Sequence, residues 1–131
     1  MKQKVRNTLI VGGGFIALEM AESLVSHGIN TSLIIRRDQI LSNFDKDISL
    51  SVQNYIKTKG VQVLDEDIII DFEADVDCNV TNVITKEQPI PAEFILLALA
   101  TNTTPNVQLA KRTGIEIGQT KAIHVSLSVF K

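Results

Sequence analysis

Unbroken apolar runs and helix-period stripes alternate through the first part of the chain. Thr8-Leu9-Ile10-Val11 shows no polar alternation and leads into Gly12-Gly13-Gly14, the pattern of a strand buried on both faces in a parallel sheet. From Phe15 to His27 the apolar positions Ile16, Ala17, Met20, Ala21, Leu24 and Val25 recur at spacings of three and four, which predicts one broad helical face. Gly28 stops that helix, with Asn30 just beyond. Thr31 to Ile35 predicts a second buried strand, so a β-α-β unit closes within about 30 residues. A second helical pattern follows Asp45 and Asp47. Ile48, Val52, Tyr55 and Ile56 share its expected buried face and Gly60 ends it. Either acid suits the N-cap or the positive end of the helix dipole. Val61 to Leu64 predicts a short strand.

The texture then changes. Ile68-Ile69-Ile70 and Val80 to Thr85 alternate with acids and Asn. They predict a small antiparallel meander with turns at Asp75-Val76-Asp77 and Lys86-Glu87-Gln88-Pro89. Phe94 to Ala100 returns to a buried parallel-type strand. Thr101 to Pro105 reads as a polar loop, Val107 to Arg112 as a short helix closed by Gly114, and Ala122 to Val125 as a last short strand. No repeat, low-complexity tract or linker interrupts the pattern. The expectation is an α/β fold: a three-layer Rossmann-like domain with a central parallel sheet and a small antiparallel β-meander, residues 1–131 forming one domain.

Composition narrows the partners. The 131 residues carry a formal net charge of −2 and no clustered basic face of the kind that phosphate-backbone binding needs, so no nucleic-acid partner is expected. The longest apolar run, Phe94 to Ala100, falls far short of the roughly 18 residues of a membrane-spanning helix, so no membrane partner is expected either. The start is a poor signal peptide, and the single cysteine, Cys78, allows no internal disulfide. These features lead to an expected cytoplasmic location.

The glycines bring the chemistry. Gly12-Gly13-Gly14-Phe15-Ile16-Ala17 satisfies G-x-G-x-x-A. Gly12 permits the tight turn out of the first strand, Gly14 lets a pyrophosphate approach the backbone, and Ala17 lets the helix pack closely on the sheet. Free N–H groups and the positive dipole end at the helix start favour anions. A bare match is weak, but this one follows a strand, opens a helix and precedes a second strand at the right distance. The residue at the end of that second strand selects the dinucleotide: an acid binds ribose hydroxyls, a base accommodates a 2′-phosphate. Here Ile35 runs into Arg36-Arg37, and Arg pairs bidentately with phosphate. NADP(H) is favoured, with NAD(H) the alternative; solvated surface arginines are the bland reading. Asp38 is expected to balance the charge of the two arginines.

The run Val11 to Ala21, with Phe15 and Glu19 in it, resembles the pyridine-nucleotide domain of FAD-dependent pyridine nucleotide-disulfide oxidoreductases. That family includes glutathione reductase, dihydrolipoamide dehydrogenase, coenzyme A-disulfide reductase and NADH oxidase. Thr31 to Asp45 is especially similar to glutathione reductases. The resemblance implies that Arg36 and a second basic residue, here Arg37, bind the 2′-phosphate. A further arginine usually stands where this chain has Ser42. It also implies that Phe15 covers the nicotinamide pocket and that Glu19 points toward the flavin. Core packing for Phe15 and solvation for Glu19 are the plain alternatives. The usual A-T-G-R-x-P-N segment near the nucleotide becomes Ala100-Thr101-Asn102-Thr103-Thr104-Pro105-Asn106. The expected cofactor-binding set is therefore Gly12, Gly13, Gly14, Phe15, Ile16, Ala17, Glu19, Ile35, Arg36, Arg37, Ala100, Thr101 and Asn102.

The resemblance further implies a module that presents the nicotinamide to FAD. The flavin would be held by an FAD domain of the same polypeptide, as a homodimer. The chain has one glycine fingerprint and no cysteine pair, so a fragment inactive alone is expected, with no catalytic residue and no metal site. A stand-alone dinucleotide sensor is the alternative. An FAD-binding turn would require an acid near Ile35. Cys78 reads as incidental, His27 as a helix-end residue, His124 as a strand residue without metal partners, and Asp65-Glu66-Asp67 as a solvated turn.

Overall fold

The computed structural model describes residues 5–99 and 104–125. The chain divides into two compact units, up to Leu99 and from Ala100. The first unit runs β1 (Asn7–Val11), α1 (Phe15–Ser26), β2 (Asn30–Ile34), α2 (Lys46–Thr58), β3 (Gln62–Leu64), β4 (Ile69–Ala74), β5 (Val80–Thr85), β6 (Pro89–Pro91) and β7 (Phe94–Leu97). Four of these strands form a parallel sheet in the order β3-β2-β1-β7, and the other three form an antiparallel sheet in the order β4-β5-β6.

Both faces of the parallel sheet are covered, which is why its central strands read as continuous apolar runs. Alternate residues serve the two faces. Ile10 and Leu33 pack with Ala17 and Ala21 of α1 and Ile56 of α2. Leu9 and Ile34 pack instead with Val83, Ile90 and Ala92 of the meander side. The three layers expected from the sequence are thus helices, parallel sheet and meander.

The second helix differs from its expected face. Ser49, Gln53 and Ile56 are buried, whereas Ile48 and Tyr55 are exposed. The buried polar positions are satisfied from outside the helix: Ser49 Oγ donates to the Leu41 carbonyl at 3.3 Å and Gln53 Nε2 donates to the Asp65 carboxylate at 3.2 Å. A buried polar group that is hydrogen-bonded avoids most of its desolvation cost, and an apolar stripe cannot reveal it. Asp45 holds the N-cap position without a side-chain cap bond. Asp47 accepts from the Ile48 amide.

In the meander, Asp75 Oδ1 accepts from the amides of Asp77 and Asn79, each at 2.9 Å. It thereby organises the turn in which Cys78 takes a φ of +63°. Pro89, expected in a turn, opens β6, an edge strand where a missing N–H is tolerated. The expected solvated acidic turn is only partly so. Asp67 is 3 % exposed. Its Oδ1 accepts from the amides of Ile68 and Lys86, tying the start of β4 to the end of β5.

In the second unit, α3 (Gln108–Arg112) is followed by Gly114 at a φ of +75°. The expected strand from Ala122 to Val125 is reduced to a single antiparallel bridge, Ile117 to Ile123. His124 Nδ1 lies 3.1 Å from the Glu116 carboxylate.

Candidate dinucleotide site

The glycine turn leaves the carboxyl end of β1, the strand flanked by β2 on one side and β7 on the other. The chain turns into α1 toward β2, while β7 approaches from the opposite side. This is the reversal of strand order at which open α/β sheets form a ligand crevice.

The three glycines have different surroundings. Gly12 has a φ of +125° and donates its amide to the Ile34 carbonyl at 3.0 Å. A Cβ there would run into the Ala98 carbonyl just past β7, so both conformation and space require glycine. Gly13 is crowded too: a Cβ would lie 2.9 Å from Ile35 Cγ2 and 3.2 Å from Ile40 Cα. Its carbonyl accepts from the Leu41 amide at 2.7 Å. A Cβ on Gly14 would meet nothing within 4 Å. The first two glycines therefore fit the turn to the protein, and the third keeps an open face.

Gly14 is the N-cap of α1 and makes no side-chain cap bond. The first-turn amides of an α-helix have no intrahelical partner. With no acid in the first turn, the positive end of α1 is left available to an anion at the open face of Gly14. Ala17 is fully buried against the sheet, as the fingerprint requires. Ile16 and Phe15 are exposed, Phe15 at 63 %, so Phe15 is not a core residue. Its ring meets Phe44 edge-on at 5.7 Å. Glu19 is exposed and shares with Phe15 an apolar groove whose opposite wall includes Val52 and Tyr55 of α2.

Ile35 is buried under the turn, while Arg36 and Arg37 are exposed immediately after it. The expected pairing of Asp38 with these arginines is not the main one. Asp38 Oδ2 receives the Lys46 ammonium at 2.9 Å. That hydrogen bond, and then the Lys46 charge, hold the Asp38 carboxyl below the ordinary carboxylate range, with Arg37 a lesser contributor. The reason is the fold of the loop, which brings the start of α2 back beside Asp38. Neither arginine forms an ion pair with any described residue. Ala100, Thr101 and Asn102 lie outside the described residues.

The parts missed by sequence reasoning are Ile40, Leu41 and Lys46. Ile40 is fully buried, and Leu41 takes a left-handed φ of +47°; together they clamp the second-strand loop onto Gly13. The one available signal was an apolar pair, Ile40-Leu41, inside an otherwise polar stretch. His27 Nδ1 lies 2.7 Å from the Ser23 carbonyl at the end of α1. No group of three metal-ligating side chains occurs among the described residues. None of the described helices is long and apolar enough to cross a membrane.

Residues 7–88 match the family model described as pyridine nucleotide-disulphide oxidoreductase. The chain belongs to that family. Within it, the matched part is the pyridine nucleotide-binding domain of flavoprotein reductases. An NAD(P)H coenzyme A polysulfide/persulfide reductase of Pyrococcus horikoshii is 37 % identical over 123 residues, covering 93 % of this chain and 26 % of the relative. An FAD-dependent pyridine nucleotide-disulphide oxidoreductase from Desulfovibrio vulgaris superposes with a TM-score of 0.71 at 34 % identity, over 94 % of this chain and 31 % of its own. An NAD-dependent persulfide reductase from A. fulgidus superposes with a TM-score of 0.70 at 28 % identity, over 93 % and 22 %. The chain thus spans about a quarter of the length of the curated relatives it matches, 26 % in the Pyrococcus case. The family binds NAD(P)H and FAD, and these relatives' names include both NAD(P)H and NAD. The choice between the two nucleotides therefore rests on side chains rather than on the fold.

Proposed function

We propose that this chain binds NADPH in preference to NADH and presents its nicotinamide to an FAD held by other segments of a longer polypeptide. The observation that carries the reading is the placement of Arg36 and Arg37. They are exposed, form no ion pair with a described residue, and stand at the carboxyl end of β2 next to the turn.

The residues fit the group. The open face of Gly14, where a Cβ would meet nothing, and the first-turn amides of α1 would hold the pyrophosphate. Ile35 stands where an acid would bind ribose hydroxyls, so that position presents no carboxylate to a 2′-phosphate. Arg36 and Arg37 supply charge and forked donors to that phosphate. Ala98, following β7, closes the turn side of the crevice through its contact with Gly12. By the family resemblance, Phe15, exposed at the start of α1, would cover the nicotinamide end and Glu19, one helical turn on, would point toward the flavin; here both line the groove against α2.

Bound there, the dinucleotide would supply a hydride for the flavin, and this chain's own residues would bind and orient it. The final acceptor is set by segments other than this domain. Coenzyme A persulfides, named for the Pyrococcus relative, are one such class. The complete protein works as a homodimer with its own FAD domain.

Titration of the purified chain with NADPH and NADH tests the reading. NADPH should bind tighter, and Arg36→Glu should cut the preference by roughly tenfold or more. Equal affinities in the parent chain, or an unchanged preference in the variant, would sink it.

A further inference from the structure

The arginine pair has an acid beside it in sequence. Asp38 directly follows Arg37, and an unpartnered carboxylate there would compete with a phosphate for the guanidinium groups. In the fold it is already occupied by Lys46, Nζ to Oδ2 at 2.9 Å. Helix stability does not account for a lysine at that place. Lys46 is the first residue of α2, at the partially positive end of the helix, where a cation is disfavoured. The chain has kept the cation there while leaving both arginines without an ion pair among the described residues.

We propose that Lys46 is a positioning residue for nucleotide selectivity: it holds Asp38 away from Arg36 and Arg37 and so keeps both arginines available to the 2′-phosphate. The inference rests on the NADPH reading above. Lys46 acts through Asp38 and need not touch the nucleotide. Three cationic groups then serve one phosphate, two by contact and one by removing a competitor.

The pair is exposed on both sides, 76 % for Lys46 and 55 % for Asp38, so its effect is modest, in the range of an exposed ion pair. The measurement is the ratio of NADH to NADPH dissociation constants for the purified 131-residue chain and five variants, Arg36→Glu among them, at fixed ionic strength. Lys46→Met should lower the ratio by roughly three- to fivefold, and Lys46→Arg should restore it. The distinguishing result is the double variant. With Asp38→Asn already present, Lys46→Met should leave the ratio unchanged, because no competitor remains to be held.

If Lys46→Met lowers the ratio equally in both backgrounds, Lys46 acts as a distant charge and the positioning role is overturned. An unaltered ratio in Lys46→Met alone, with a parent preference that Arg36→Glu abolishes, overturns the positioning role and leaves the NADPH reading intact. A parent ratio of one overturns the NADPH reading and the positioning role with it. All these side chains are at the surface, and unchanged thermal unfolding of each variant confirms that the ratios compare like folds.

Discussion

The amide of Leu41 donates to the carbonyl of Gly13 over 2.7 Å, joining the loop after β2 to the glycine turn after β1. Ile40, fully buried beside it, lies so near that a Cβ on Gly13 would come within 3.2 Å of the Ile40 Cα. The loop carrying Arg36 and Arg37 is therefore fixed to the glycine turn, so the two segments share one geometry.

That contact separates two adjacent glycines by experiment. Gly13→Ala places a Cβ 2.9 Å from Ile35 Cγ2 and 3.2 Å from the Ile40 backbone. It should cost about 1–3 kcal/mol of stability, as overpacked cores do. Gly14 has a φ of −88° and a ψ of −177°, which any residue adopts, and open space around it. Gly14→Ala should unfold like the parent chain and yet weaken dinucleotide binding by on the order of tenfold or more. Denaturant unfolding and nucleotide titration of both variants check this; equal stability losses would contradict the steric account.

Thr8 carries a different kind of cost. Its Oγ1 is buried in β1 with no hydrogen-bond partner among the described residues. Thr8→Val keeps the shape and removes the orphaned hydroxyl, so it should stabilise the chain by about 1 kcal/mol. A lower unfolding midpoint in the variant would show that the hydroxyl is satisfied.

Phe15 tests whether the start of α1 serves packing or the site. Its ring is mostly exposed and touches Phe44 edge-on. Phe15→Ala should cost less than about 1.5 kcal/mol, against the roughly 3–5 kcal/mol of a buried phenylalanine. A loss in the larger range, measured by chemical denaturation, would make Phe15 a core residue.

Glu93 predicts an acid-side effect. Its carboxylate accepts from the amides of Arg6 and Asn7. These bonds, Arg6 first, hold its pKa below the ordinary value of 4.5. A carboxylate depressed in the folded state stabilises above its unfolded pKa, and that contribution disappears as pH falls through the folded value. The parent chain should therefore exceed Glu93→Gln in melting temperature at neutral pH, and the gap should close below about pH 4.5. A gap constant down to pH 3 would exclude the ionised form as the cause.

The sequence determined the layers and the turn. Apolar runs without alternation required a sheet covered on both faces, a glycine fingerprint between strand and helix required a tight turn there, and Arg36-Arg37 marked the carboxyl end of β2. These are local signals, since period, propensity and glycine chemistry are written in neighbouring residues. Tertiary structure decided what depends on distant chain segments. It rotated α2 onto Ser49 and Gln53, because their hydrogen-bond partners lie in loops that no helical period can register. It buried Asp67 by folding the ends of β4 and β5 over it. It paired Asp38 with Lys46, eight residues away, in place of the adjacent arginines, because the loop returns to the start of α2. Whether a charge is free or spent depends on what the fold brings beside it.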